Sequence, residues 1–191
     1  MSSIVTFYRG HPNPPKTTMP AHLGANAIIT CKGKLLLEKR RDSDVWGLVG
    51  GGVKKYETEV QAMAREVYEE LGLRISKDRF QKLKVYGEPG RIAAYRDGSI
   101  WRMVIVVFGL ELDEVPQMVI SHESKDLRFF SKEELKDIEI VITHSDIVEE
   151  LFINKLEKAY LRVCLFMSLI SEQNVKEYAE NEFILVYSQY L

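Results

Sequence analysis

Three consecutive glycines, Gly50-Gly51-Gly52, run into the strongest helical pattern of the chain, and this junction narrows what the polypeptide can fold into. Val60, Met63 or Ala64, Val67 and Leu71 recur at i, i+3/4, i+7 and i+11, which predicts a helix over 58–71 with one apolar face. Thr58-x-x-Gln61 is a capping box at its start, and Gly72 stands where a helix ends. Without a Cβ, the glycines let backbone approach a ligand or side chain closely. The junction is not a P-loop, because Gly47-x4-Gly52 is followed by Val53 rather than by Lys and Ser/Thr. Lys55 in turn excludes the dinucleotide-binding pattern G-x-G-x-x-G.

Around this junction the chain reads mostly as strand. Residues 24–30 and 34–40 predict a hairpin turned at Lys32-Gly33, and 46–52 is a strand-sized piece. Phe80–Tyr86, Ile92–Tyr95 and Ile100–Leu112 read as strands, with Arg96-Asp97-Gly98 turning the last two. Leu127–Phe130 is a further short strand, and Ser131-x-x-Glu134 caps a short helix. From Thr143 the period becomes helical. Strands outnumbering helices predict a mixed sheet between helices. The 191 residues suit about one domain of ordinary size. A net charge of −2 excludes a generally basic nucleic-acid binder, so no nucleic-acid partner is expected. Cys31 and Cys164 are expected as reduced, buried thiols.

The predicted helix carries Glu59, Glu66, Glu69 and Glu70. Glu66 and Glu70 project from one face a turn apart, with Glu69 beside them, on a face that flanks the apolar stripe. Such crowding is either a solvated acidic face, partly offset by Arg65 pairing with Glu69, or a nest for a hard divalent cation.

Gly51-x5-Glu57-x7-Arg65-Glu66-Val67-x-Glu69-Glu70-x-Gly72-Leu73 matches the Nudix box at every defined position, and the chain resembles the Nudix hydrolase family over residues 22–155. Lys54 and Tyr56 stand where many members carry an acidic residue and a glycine, both at unspecified positions of the box. The resemblance implies an α/β fold, an α/β/α sandwich with a mixed β-sheet, and a box arranged as loop-helix-loop. It implies hydrolysis of the diphosphate linkage of a nucleoside diphosphate derivative, either a nucleotide sugar such as ADP-ribose or a nucleoside triphosphate. Mg²⁺ or Mn²⁺ would neutralise the diphosphate and activate water. Gly51, Glu66, Glu69 and Glu70 are the implied metal ligands. Glu66, Glu69, Glu123 and Arg65 form the implied catalytic set, with the base either a box glutamate or Glu123 from the loop 120–125. Glu57 and Gly72 are structural in the box. The alternative is a non-catalytic Nudix module that senses a ligand.

Arg40 and Arg41, at a strand end near the glycines, either grip phosphate or are solvated charge. Tyr86, Tyr95 and Trp101 are either core or a surface for stacking a base. The four histidines have no metal-ligand spacing and are treated as incidental. Three segments are expected: an extended 1–21, a Nudix domain over 22–157 and a mainly helical extension over 158–191. Residues 1–20 lack the apolar stretch of a secretory signal and no run is long enough to span a membrane, so a cytoplasmic protein is expected. The run 160–170 is too apolar for an open surface helix, and a homodimer is the favoured cover for it.

Overall fold

The structure, a computed structural model, describes residues 5–42 and 44–169. These form two units, the first ending at Asp146 and the second starting at Ile147.

Among the described residues of the first unit, nine strands make one mixed sheet: β1 (Val5–Tyr8), β2 (His22–Cys31), β3 (Lys34–Arg40), β4 (Trp46–Gly47), β5 (Gly50–Gly52), β6 (Gln81–Tyr86), β7 (Ile92–Tyr95), β8 (Ile100–Leu112) and β9 (Ser124–Phe130). The main path runs β1-β7-β8-β2-β3-β4, with β5 on β2, β6 on β8 and β9 on β3. Among the described strands only β2 and β8 pair in parallel, in register from His22↔Met103 to Cys31↔Leu112. The start of β8 pairs instead with β7, Ile92↔Arg102 to Ala94↔Ile100, which brings the N-terminal strand into the sheet.

Helix α1 (Glu59–Leu71) lies on one face of this sheet. The strand period places Ala25, Ala27 and Ile29 of β2, with Val106, Phe108 and Leu110 of β8, against Met63, Val67 and Leu71 of the helix. Fully burying a side chain of this size contributes about 1.5–3 kcal/mol, so this face carries much of the fold's stability. Leu35 and Leu37 of β3 point the other way and are also fully buried, so the sheet is covered on both faces there.

The ends of α1 follow from local chemistry. Thr58 accepts the N–H of Gln61 while Gln61 accepts the N–H of Thr58, closing the expected capping box. Gly72 ends the helix at φ 73°, and its N–H donates to Tyr68. A similar reciprocal pair joins Ser131 and Glu134, but the turn it opens is the short 3₁₀ segment Glu134–Asp137. The expected strand 46–52 is broken in two at Leu48-Val49. Within 1–21, Val5–Tyr8 is a sheet strand. Cys31 is a free, buried thiol.

The later helical elements are α2 (Ile142–Val148), a π-turn (Glu149–Ile153) and α3 (Asn154–Leu169). The expected boundary at 157/158 falls inside α3. An extended Phe183–Tyr187 and the end of the apolar run at Ile170 lie outside the described residues. No helix among the described residues is long and apolar enough to cross a membrane.

Candidate active site

The glycine run is shaped by what α1 sends into it. Gly50 has φ 142°, and a Cβ there would meet the carbonyl oxygen of Ala25 and stand 2.7 Å from the Cα of Asn26, so no other residue fits. Its N–H donates to Glu70 Oε2 at 2.9 Å. A Cβ on Gly51 would stand 2.6 Å from Glu66 Oε1, which means the Glu66 carboxylate occupies the space glycine leaves open. Two glycines thus receive two carboxylates set one helical turn apart.

Arg65 ties the box together. Its Nε and Nη2 donate to Glu57 at 3.1 and 2.6 Å, Nη1 donates to Glu66 at 2.6 Å and to Glu69 at 2.8 Å, and Nη2 also reaches the Gly52 carbonyl at 2.9 Å. The expected Arg65–Glu69 pair is one contact of this hub. Glu57 also accepts the N–H of Lys54 at 2.7 Å, which braces the loop, and the Arg65 guanidinium beside it holds its carboxyl down to about 2.

Burial raises the Glu66 carboxyl above its ordinary range. Glu70, 6% exposed, is pushed further up, first by burial and then by the charges of Glu38 and Glu66. Glu70 therefore belongs to the buried side of α1, not to the flanking face the helix period alone predicts. The Gly50 N–H makes that burial tolerable. Glu38, which sequence reasoning did not single out, is a second buried carboxylate in this neighbourhood. It accepts from Ser124 Oγ at 2.9 Å, and burial raises its pKa.

A cavity of about 550 Å³ opens above these groups. Glu66, Glu69, Glu70, Arg65, Lys54 and Gly50–Gly52 line its polar wall; Arg40 and Glu123 also face it. Phe7, Tyr95, Met103, Ile105 and Val141 supply apolar lining. Arg40 is held by Asp42 through Nε at 3.0 Å and Nη2 at 2.6 Å. Arg41 is not in the lining; its guanidinium donates to the carbonyls of His122 and Ser124. Of the three aromatics considered from sequence, Tyr95 lines the cavity, Tyr86 is buried beneath the Arg91 guanidinium, and Trp101 meets His22 edge-on.

Two histidines treated as incidental are part of the site. His22 lines the cavity, close to where a Cβ on Gly52 would stand. His144 is buried, its Nδ1 accepts the Leu48 N–H at 3.1 Å, and burial lowers its pKa to about 3, so the ring is neutral. Phe7 was hidden too, because only the pairing of β1 with β7 brings it here. None of the three carries a spacing signal in the sequence.

Among the described residues, no three His, Cys, Asp or Glu side chains form a ready-made metal cluster. The donor chemistry nevertheless fits a hard divalent cation. Glu66 and Glu70 are desolvated oxygen donors whose negative charge is under-compensated, and such cations take oxygen ligands.

A mixed sheet that feeds a glycine loop into a glutamate-rich helix defines a fold shared with solved proteins. One is a MutT/nudix family protein from Enterococcus faecalis, with TM-score 0.59 and 22% identity over 76% of this chain and 65% of that one. Another is a bifunctional NMN adenylyltransferase/ADP ribose pyrophosphatase from Francisella tularensis, solved with AMP and a Mn ion, with TM-score 0.56 and 21% identity over 75% of this chain and 43% of that one. The NUDIX domain profile matches residues 20–151, and the chain belongs to the Nudix hydrolase family. A MutT-like protein of Streptomyces ambofaciens is 39% identical over 54 residues, which is 28% of this chain and 35% of that protein.

Proposed function

We propose that this protein is a divalent-metal-dependent hydrolase that cleaves the diphosphate linkage of a nucleoside diphosphate derivative. One observation carries the reading: the glycine loop and the three box glutamates on α1, Glu66, Glu69 and Glu70, line a single cavity of nucleotide size. ADP-ribose is the first substrate to test, because the Francisella tularensis neighbour is an ADP ribose pyrophosphatase; a nucleoside triphosphate is the second.

Glu66, Glu70 and the Gly51 carbonyl would hold Mg²⁺ or Mn²⁺, with Glu69 adjoining. The bound cation would offset the charge of the diphosphate and lower the pKa of water. Arg65 keeps Glu66 and Glu69 oriented from the opposite side, and Glu57 anchors Arg65. Arg40 offers a guanidinium to a phosphate oxygen while Asp42 holds it in place. Phe7 and Tyr95 offer the base a flat apolar surface. Glu123 takes a proton of the attacking water; a P–O bond forms to that water and the bridging P–O bond breaks, releasing two phosphate monoesters from ADP-ribose, or a nucleoside monophosphate and pyrophosphate from a nucleoside triphosphate. The protein acts in the cytoplasm on small molecules, without a nucleic-acid partner, and as a homodimer.

The test separates the carboxylates by role. Glu66→Gln is expected to lower kcat by about a hundredfold or more and to weaken metal binding. Glu123→Gln is expected to lower kcat by a similar factor while metal affinity stays unchanged. A fully active Glu123→Gln variant would return the base to the box, and a fully active Glu66→Gln variant would remove it from the metal site.

A further inference from the structure

Arg41 spends its donors on three successive carbonyls. Its backbone N–H donates to Glu123 O, its Nε to His122 O and its Nη2 to Ser124 O, each at 3.0 Å. The sheet prepares this contact. β3 and β9 pair Lys39 with Asp126 but Arg40 with Ser124, so the register skips Lys125, and such an irregularity redirects the strand it interrupts. The far side of the same segment is also tied. Ser124 is fully buried, with its Oγ donating to Glu38 at 2.9 Å and lying 3.2 Å from Ser121 Oγ, which accepts the Glu123 N–H at 3.2 Å. The Glu123 side chain itself is 69% exposed, with its carboxylate 3.7 Å from His122 Nε2. Its placement at the cavity is thus set by the backbone that carries it.

We propose that Arg41 is a positioning residue, a guanidinium clamp that fixes residues 122–124 so that Glu123 faces the cavity, and not a ligand for substrate phosphate. The inference rests on Glu123 as the base. A planar fork can bridge two carbonyls, whereas a lysine ammonium at the end of a flexible stem cannot hold both in one geometry.

The experiment uses the full chain with Arg41→Lys, which keeps the charge and loses the fork, alone and combined with Glu123→Gln. Hydrolysis is measured with ADP-ribose and Mg²⁺, and backbone amide exchange is followed over residues 119–125 and over α1. The clamp predicts a kcat loss of about ten- to a hundredfold for Arg41→Lys with KM within about twofold, because misplacing a catalytic group costs that much. In the Glu123→Gln background the same change should add less than about twofold, since the two residues act through one group. Exchange over 119–125 should quicken by about tenfold while α1 stays protected. An equal loss in both backgrounds, or a raised KM at constant kcat, would place Arg41 on the substrate and overturn the proposal. Unchanged exchange over 119–125 would overturn it whatever the kinetics. If Glu123→Gln alone kept full activity, the positioning role would fall with the base assignment, and faster exchange would then leave Arg41 a purely structural clamp.

Discussion

His144 shows how one residue links site and stability. Folding holds its imidazole neutral with a pKa near 3, whereas the unfolded chain takes up a proton below about 6.5. The unfolded state therefore binds more protons between these values, and stability from this group is complete above about pH 6.5 and lost as pH falls toward 3. The slope in that window approaches about 1.4 kcal/mol per pH unit. Glu38 and Glu70 act in the opposite sense, because their folded pKa values are raised and protonation favours the folded state as pH falls. Comparing wild type with His144→Asn isolates the histidine. In urea unfolding at pH 7, 6 and 5, the wild type should lose about 1 kcal/mol per unit more than the variant at the acidic end. Parallel pH dependences would show that the ring is not held neutral.

At the scale of the element, α1 is where sequence and structure agree most fully, and the reason is that its determinants are local. The apolar period, the Thr58–Gln61 box and the Gly72 stop all act within a few residues of the helix. Thr58→Ala should cost about 1 kcal/mol through the lost cap. Gly72→Ala should cost about 1–2 kcal/mol, because φ 73° strains an L-residue and Val119 stands 3.3 Å from where the Cβ would go. Thermal melts of the two variants check both values, at about 2–4 °C per kcal/mol for a chain of this size. Unchanged melting temperatures would mean that the helix ends bear no load. Elements fixed by distant partners were harder to read. Val5–Tyr8 is four residues long and becomes a strand only by pairing with Ile92–Tyr95, so nothing nearby announces it. Arg41 was legible as a strand-end cation near the glycines, but its carbonyl partners follow from a register shift that no local pattern encodes. The box residues were legible because their spacing is itself the geometry: Glu66 and Glu70 one turn apart, with Gly51 opposite. Phe7, His22 and His144 reach the cavity from separate stretches of chain, the first two on sheet strands and the third on α2, so only the tertiary fold brings them together.

At the scale of the whole molecule, two claims remain to be tested in solution. Tyr160 and Leu161, at the start of the apolar run, are 71% and 58% exposed in the single chain. Truncation after Lys158 should therefore yield a smaller species by sedimentation than the full chain, whereas a full chain that sediments as a monomer at micromolar concentration would reject the homodimer. The central claim is that the glycine loop and the α1 carboxylates make a metal-dependent diphosphate hydrolase. Its most direct test is to incubate the purified chain with ADP-ribose, and in parallel with nucleoside triphosphates, in Mg²⁺ or Mn²⁺ and in excess chelator, and to identify the products by chromatography. Cleavage of one of these substrates to a nucleoside monophosphate, abolished by chelator and reduced about a hundredfold or more in Glu66→Gln, is the predicted result. Equal turnover in chelator, or no hydrolysis of any of them with either metal, would contradict it.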